Sequence, residues 1–287
     1  MPTRSKGKRP PTGVAGAPTP PAKVRTLSLL KMKRAGERIT CVTAYGWPAA
    51  LALEEAGIDV CLVGDSVGMV ELGYDSTLPV TLDEMIHHAR AVRRGLKRAL
   101  MVVDLPFMSY QLGPGQALAS AGRVLKESGA EAVKLEGGAE VAATVRALRS
   151  AGVAVMGHIG LTPQSVHALG GFRVQGRGKA EARKLLSDAR ALQAAGAFAV
   201  VLEGLPEAVS RSISRALDIP TIGIGAGAAC DGQVQVWHDL LGCLPQAPPR
   251  HSRAFAGTYR IQVEALKEYQ RAVRQGRFPT PRETPLP

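Results

Sequence analysis

The sequence predicts an α/β fold, a closed (β/α)8 TIM barrel, on three observations. From residue 39 onward, short and nearly continuous apolar runs alternate with helical patterns; eight such runs occupy about 210 residues; and a glycine repeatedly closes a helix just before the next run. An open doubly wound parallel sheet is the main alternative.

The strand candidates, in order, are "ITCVTA" (39–44), "DVCLVGD" (59–65), "ALMVVDLP" (99–106), "AVKLEGG" (132–138), "VAVMGHIG" (153–160), "FAVVLEG" (198–204), "PTIGIGAG" (220–227) and "QVQVWH" (233–238). Each is short and rich in β-branched or small apolar residues. Helical patterns fill 48–56, 81–94, 115–128, 139–150, 179–195 and 206–216. "TLDE" at 81–84 is a capping box, in which threonine accepts from a backbone N–H and glutamate reaches back. "ESGAEAV", "SAGVAV" and "AAGAFAV" each place a glycine between helix and strand. The eighth run follows the seventh too closely for a crossover helix, an irregularity the barrel reading leaves open.

Composition narrows the function classes. A chain of 287 residues with 45% hydrophobic content buries a sizeable core. Its formal charge of +12 sits at the ends: residues 1–38 hold ten Lys/Arg and one acid, residues 249–287 hold eight and three, and the body between holds eighteen and twenty. A near-neutral body with 4% aromatics offers no nucleic-acid surface or base-stacking platform. Residues 1–25, rich in Pro, Gly and Lys/Arg and free of acid, read as a disordered tail, with an organellar targeting peptide as the lesser reading. Residues 26–250 read as the barrel and 251–287 as a C-terminal helix and basic tail. Cys41, Cys61, Cys230 and Cys243 form no C-x-x-C pair, which suits a reducing compartment. No apolar segment approaches the roughly 18 residues of a membrane span. The expected setting is the cytoplasm.

The ends of the runs carry the chemistry. Asp65, Asp104, Glu136, His158 and Glu203 stand at or near the C-terminal ends of runs two to six, and in parallel α/β folds those ends form the active-site face. Alternation puts Lys134 and Glu136 on one face with Ala132, and sends Val133 and Leu135 toward the helices. The same count puts Asp65 on the face of Val63 and Cys61, with the charged groups pointing inward. A strand-terminal aspartate often only caps the next helix, and Asp65 could reach the amides of "SVG". Five polar ends together ask for more. Clustered carboxylates need a cation or a shared proton, and an all-oxygen set suits Mg²⁺ rather than zinc.

Other signals weigh less. "GIGAG" at 223–227 lacks the G-x-G-x-x-G spacing and reads as close backbone packing at the mouth. His87 and His88 in "IHHAR" read as helix-surface residues. "LGGFRVQGRG" at 169–178 is a long loop after run five, suited to a lid or substrate loop.

"VGDSVGMVELGYDSTLPVTLDEM", "DLPFMSYQ", "AVKLEGG", "VMGHIGLTPQSVHALGGFRVQGR", "VLEG" and "IPTIGIGAGAACDGQVQVWHDLLG" closely resemble the ketopantoate hydroxymethyltransferase family, over about residues 26–250. The resemblance implies a (β/α)8 barrel of the phosphoenolpyruvate/pyruvate type and a homodecamer built as a pentamer of dimers. It implies hydroxymethyl transfer from 5,10-methylenetetrahydrofolate to 3-methyl-2-oxobutanoate in pantothenate biosynthesis. Carried onto this chain, the Mg²⁺ ligands fall on Asp65, Asp104 and Glu136. Ketoacid contacts fall on Asp65, Ser66, Asp104 and Lys134, and the proton acceptor on Glu203. His158 is open between a substrate or metal-water contact and simple packing.

The chain departs from the family at Gly46-Trp47, where an acidic residue is common, and at Gly204, where cysteine is common; both bear on pocket shape and folate contacts. Two readings compete with the resemblance: a Mg²⁺-dependent lyase on the same barrel type, and a non-enzymatic scaffold or RNA-binding protein acting through the tails.

Overall fold

Eight parallel strands form from the eight apolar runs. The structure, a computed structural model, describes residues 22–284. The strands are β1 (Ile39–Thr43), β2 (Val60–Val63), β3 (Leu100–Asp104), β4 (Ala132–Glu136), β5 (Val155–Gly160), β6 (Ala199–Glu203), β7 (Thr221–Ile224) and β8 (Gly232–Gln235). Each pairs with the next in sequence, and β8 pairs with β1 in parallel, so the sheet is a closed barrel. The open-sheet alternative is thereby rejected.

The helices are α1 (Thr26–Ala35), α2 (Trp47–Glu55), α3 (Val67–Val70), α4 (Leu82–Arg93), α5 (Pro114–Ser128), α6 (Ala142–Ser150), α7 (Lys179–Ala195), α8 (Glu207–Ala216), α9 (Trp237–Leu241) and α10 (Thr258–Arg274). Of these, α2 and α4 to α8 cover the outside, α1 packs Leu29 with the inner core, and α10 buries none of its residues. The box at Thr81 forms as expected: its Oγ1 accepts from Glu84 N–H at 3.2 Å, and Glu84 Oε2 accepts from Thr81 N–H at 2.6 Å. Gly129, Gly152 and Gly196 take positive φ between helix and strand, where a side chain would be strained. The helix expected over 139–150 divides into a 3₁₀ turn, Ala139–Val141, and α6.

Alternation sorts the strand residues into two cores. Leu62, Leu100, Val102, Ala132, Met156 and Val201 pack inside the barrel. Cys61, Val63, Met101, Val103, Val133, Leu135 and Leu202 pack against the helices. The expectation for β4 therefore holds, and the one for Asp65 is corrected. Cys61 and Val63 face outward, so Asp65 does not share their face. The strand ends at Val63 and the chain turns, with Val67 N–H donating to Gly64 O at 3.1 Å. That turn breaks the period of two and returns the Asp65 carboxylate to the interior.

The close spacing of the last two strands has a steric basis. Residues 225–231 connect them without a helix, and β7 is only four residues long, roughly 10 Å of rise to recover. Glycines make room for the return: a Cβ at Gly223 would lie 2.9 Å from Cys230 Sγ, and one at Gly232 would lie 2.5 Å from Ile39 O.

The boundary of the basic tail also needs correction. Residues 1–21, most of the expected disordered segment, lie outside the described residues. Lys23 and Val24, counted in that tail, are packed: Val24 is buried and its N–H donates to Arg98 O at 2.9 Å, while Lys23 Nζ contacts Glu131 at 2.7 Å. A buried apolar residue and a half-buried acid partner outweigh the surrounding prolines. Among the described residues, no helix is long and apolar enough to cross a membrane.

Candidate active site

The C-terminal ends of the strands open into one cavity of about 870 Å³, bordered by Asp65, Ser66, Asp104, Lys134, Glu136, His158 and Glu203. Every site residue expected from the sequence is therefore brought to one place. Strand register explains the grouping, because Asp104 pairs with Lys134 and Glu136 with His158 across neighbouring strands.

Lys134 Nζ lies 2.8 Å from Asp104 Oδ1, both side chains being almost fully buried. Asp104 Oδ2 accepts from Asp65 N–H at 3.1 Å. Glycine precedes Asp65 for a local reason: a Cβ at Gly64 would sit 2.9 Å from Ser66 Oγ and 3.4 Å from Asp104 Oδ2. Ser66 Oγ shares a hydrogen bond of 2.8 Å with Tyr45 OH. His158 lies between two acids and Lys134: its Nδ1 is 3.3 Å from Lys134 Nζ and 3.4 Å from Glu136 Oε1, and its Nε2 is 3.2 Å from Glu203 Oε2.

Burial dominates the electrostatics. It pushes the Asp65 carboxyl up to about 8, helped by repulsion from Asp104 and Glu136. Burial also raises Asp104, against the pull of Lys134. For Lys134 burial disfavours the charge, but attraction to Asp104, Glu136 and Asp65 outweighs it and holds the ammonium well above its usual range. Burial and Lys134 both oppose charging of His158, yet its bonds to Glu136 and Glu203 bring it to about 9.

Asp65 does not cap the following helix; its Oδ2 accepts from Gln164 Nε2 at 2.8 Å. Gln164 also receives the Tyr110 hydroxyl at 2.8 Å. Neither residue emerged from the sequence argument, which weighed only charged strand ends. The signal that was available is position, since "TPQS" follows β5 directly.

The arrangement fits a hard cation bound in the open manner of Mg²⁺. Among the described residues, no three His, Cys, Asp or Glu side chains converge tightly enough to enclose an ion, so the site is no closed cage. Mg²⁺ keeps several waters and needs only one or two protein carboxylates. Asp104 Oδ1 is buried with no partner beyond its ion pair with Lys134, and burial disfavours the Asp65 carboxylate. Oxygen donors with excess negative charge are the donor set such an ion takes.

The outer wall comes from loops. Phe172, Arg173 and Val174, in the loop expected to serve as a lid or substrate loop, border the cavity, as do Arg250 and His251. Gly225 within "GIGAG" is close-packed, a Cβ there reaching within 3.0 Å of His251. Of the two departures from the family pattern only Gly204 borders the cavity, with φ +59 and Leu161 Cβ 3.1 Å from its own Cβ position. Trp47 opens α2 and is exposed. His87 is exposed as expected, whereas His88 Nδ1 is 2.7 Å from Tyr45 O and pins the chain beyond β1.

Relatives agree with this picture. The chain is 55% identical over 257 residues, 90% of its length and 93% of the relative's, to a 3-methyl-2-oxobutanoate hydroxymethyltransferase of Carboxydothermus hydrogenoformans. It is 58% identical over 249 residues, 87% of its length and 90% of the relative's, to the enzyme of that name from Gluconacetobacter diazotrophicus. The barrel is similar to that of 2,3-dimethylmalate lyase, a member of the PEP mutase/isocitrate lyase superfamily. The TM-score is 0.55, with 15% identity and 91% of each chain covered; this likeness concerns the fold, which is the barrel type expected. Residues 23–281 match the ketopantoate hydroxymethyltransferase family, so the family pattern extends past residue 250 and takes in α10. On that match and those identities, the chain belongs to the ketopantoate hydroxymethyltransferase family.

Proposed function

We propose that this chain transfers a hydroxymethyl group from 5,10-methylenetetrahydrofolate to 3-methyl-2-oxobutanoate, giving 2-dehydropantoate for pantothenate biosynthesis. The observation that carries the reading is a division of labour among carboxylates in one cavity. Asp104 and Glu136 keep only 3% of their side chains exposed, while Glu203 keeps 15% and borders the open volume. A base must reach substrate carbon, and charge-holding groups need not.

In this reading Asp65, Asp104 and Glu136 hold Mg²⁺, which when bound polarises the keto oxygen and acidifies C3. Ser66 and Lys134, with Asp65 and Asp104, orient the ketoacid, the Lys134 ammonium offsetting its carboxylate and the enolate charge that develops. Glu203 takes the C3 proton. His158 Nε2 lies 3.2 Å from Glu203 Oε2, where an imidazolium would hold that base by charge attraction. The C3 electron pair then bonds to the one-carbon unit of the folate, water supplies the hydroxyl oxygen, and tetrahydrofolate leaves protonated at nitrogen. The cavity has room beyond a small ketoacid, which suits a second substrate entering past Phe172 and Arg173. Family resemblance further supports a cytoplasmic decamer of five dimers, testable by sedimentation.

Incubation with 3-methyl-2-oxobutanoate and Mg²⁺ in D₂O tests the chemistry. C3 deuteration without folate and 2-dehydropantoate with it are expected. Wild-type exchange in a folded Glu203→Gln variant would remove Glu203 as the base, and cleavage of a 2-hydroxy diacid instead would favour the lyase reading.

A further inference from the structure

The amide of Gln164 is saturated. Nε2 donates to Asp65 Oδ2 at 2.8 Å and to Leu105 O at 3.0 Å; Oε1 accepts from Tyr110 OH at 2.8 Å and from Gln111 Nε2 at 3.2 Å. Two donors and two acceptor sites are all a glutamine amide has, so its orientation is dictated by its surroundings. Its backbone adds a fifth tie, Gln164 N–H donating to Glu136 Oε2 at 3.0 Å. The Tyr110 hydroxyl accepts in turn from Glu136 N–H at 3.1 Å. Gln164, Tyr110, Asp65 and Glu136 are all buried.

This residue therefore fastens one oxygen of each of two carboxylates, one in the turn after β2 and one at the end of β4. Asp65 Oδ2 and Glu136 Oε2 are occupied; Asp65 Oδ1 is left for the cavity, and Glu136 Oε1 faces His158 Nδ1 at 3.4 Å. We infer that Gln164 is a positioning residue that selects which oxygens of Asp65 and Glu136 face a bound cation, with Tyr110 fixing the Gln164 amide. Two neutral donors can hold adjacent carboxylates without adding positive charge that would compete with the cation. The placement is local in origin. Gly160 at φ +101 lets the chain turn against Glu203 O, where a Cβ would lie at 2.2 Å, and Pro163 opens the 3₁₀ turn that carries Gln164.

The inference rests on reading the mouth as a metal-assisted ketoacid site. Partners that orient metal ligands typically change affinity by about 10–100-fold when removed. The test is Mn²⁺ titration of the full chain, followed by the electron paramagnetic resonance signal of free ion, with no turnover involved. Gln164→Leu is expected to weaken Mn²⁺ binding by about tenfold or more, and Tyr110→Phe by a smaller factor in the same direction. Ser128→Ala removes a buried bond to Val124 O far from the mouth and should leave affinity unchanged while lowering the melting temperature. Wild-type affinity in Gln164→Leu overturns the positioning role alone. If Gln164→Leu does not fold, unchanged affinity in Tyr110→Phe overturns it. Wild-type protein that binds no Mn²⁺ overturns both this role and the metal reading beneath it.

Discussion

The same strands carry acids at both ends, and the two ends treat them differently. At the N-terminal end Asp59, Glu131 and Asp231 each stand one residue before an even-numbered strand. Asp59 meets Arg98 at 2.8 Å, Glu131 meets Lys23 at 2.7 Å and Arg93 at 3.2 Å, and Asp231 meets Lys33 at 2.8 Å. Each also accepts from a neighbouring strand's backbone, at Thr40, Met101 and Thr221 respectively. At the mouth four carboxylates share Lys134 and His158. One end is electrically complete within the chain, and in the proposed function the other is completed by what it binds. On the proposed function, acids at the first serve stability and acids at the second serve chemistry, in keeping with the usual division between the two faces of such barrels.

The largest break of this contrast comes from Glu203→Gln. It should cut turnover by roughly 10²–10⁴, the usual contribution of a positioned base, with the melting temperature nearly unchanged; steady-state kinetics and calorimetry check both. Arg98→Met is the opposite case. It leaves Asp59 without its cation and should cost ~2 kcal/mol, discounted for partial exposure. That is a drop of roughly 4–8 °C in melting temperature, with turnover of the folded fraction preserved.

A smaller effect is a pH dependence of opposite sign at the mouth. The Asp65 carboxyl is raised from its ordinary value near 4 to about 8, so the folded state holds its proton more tightly than the unfolded one. The stability this contributes is fully present below about pH 4 and is lost as pH rises toward 8. Metal-free protein should therefore lose at least about 1 kcal/mol over that window. Denaturant melts at successive pH values should show the loss in wild type and a flatter profile in Asp65→Asn.

Much of this was legible in the sequence. Barrel closure follows from eight apolar runs, and the inward direction of Lys134 and Glu136 follows from alternation, because β4 is regular through Glu136. Alternation failed at Asp65 because β2 stops at Val63 and the turn at Gly64 resets the count. Gln164 and Tyr110 escaped notice because a neutral amide and a phenol announce themselves only through their partners, and Tyr110 lies 54 positions from Gln164. Composition places Lys23 and Val24 in a tail, because it does not report that Glu131 waits 108 residues on from Lys23.

The most direct measurement concerns the cation proposed for the mouth. Mg²⁺ should be titrated calorimetrically at pH 7 into the protein with 3-methyl-2-oxobutanoate present, in buffers of different ionisation enthalpy. A cation that displaces the Asp65 proton should bind with release of about one proton per chain, and the release should vanish in Asp65→Asn. No binding at all would contradict the view that the mouth carboxylates hold a cation, and binding without proton release would contradict a protonated Asp65.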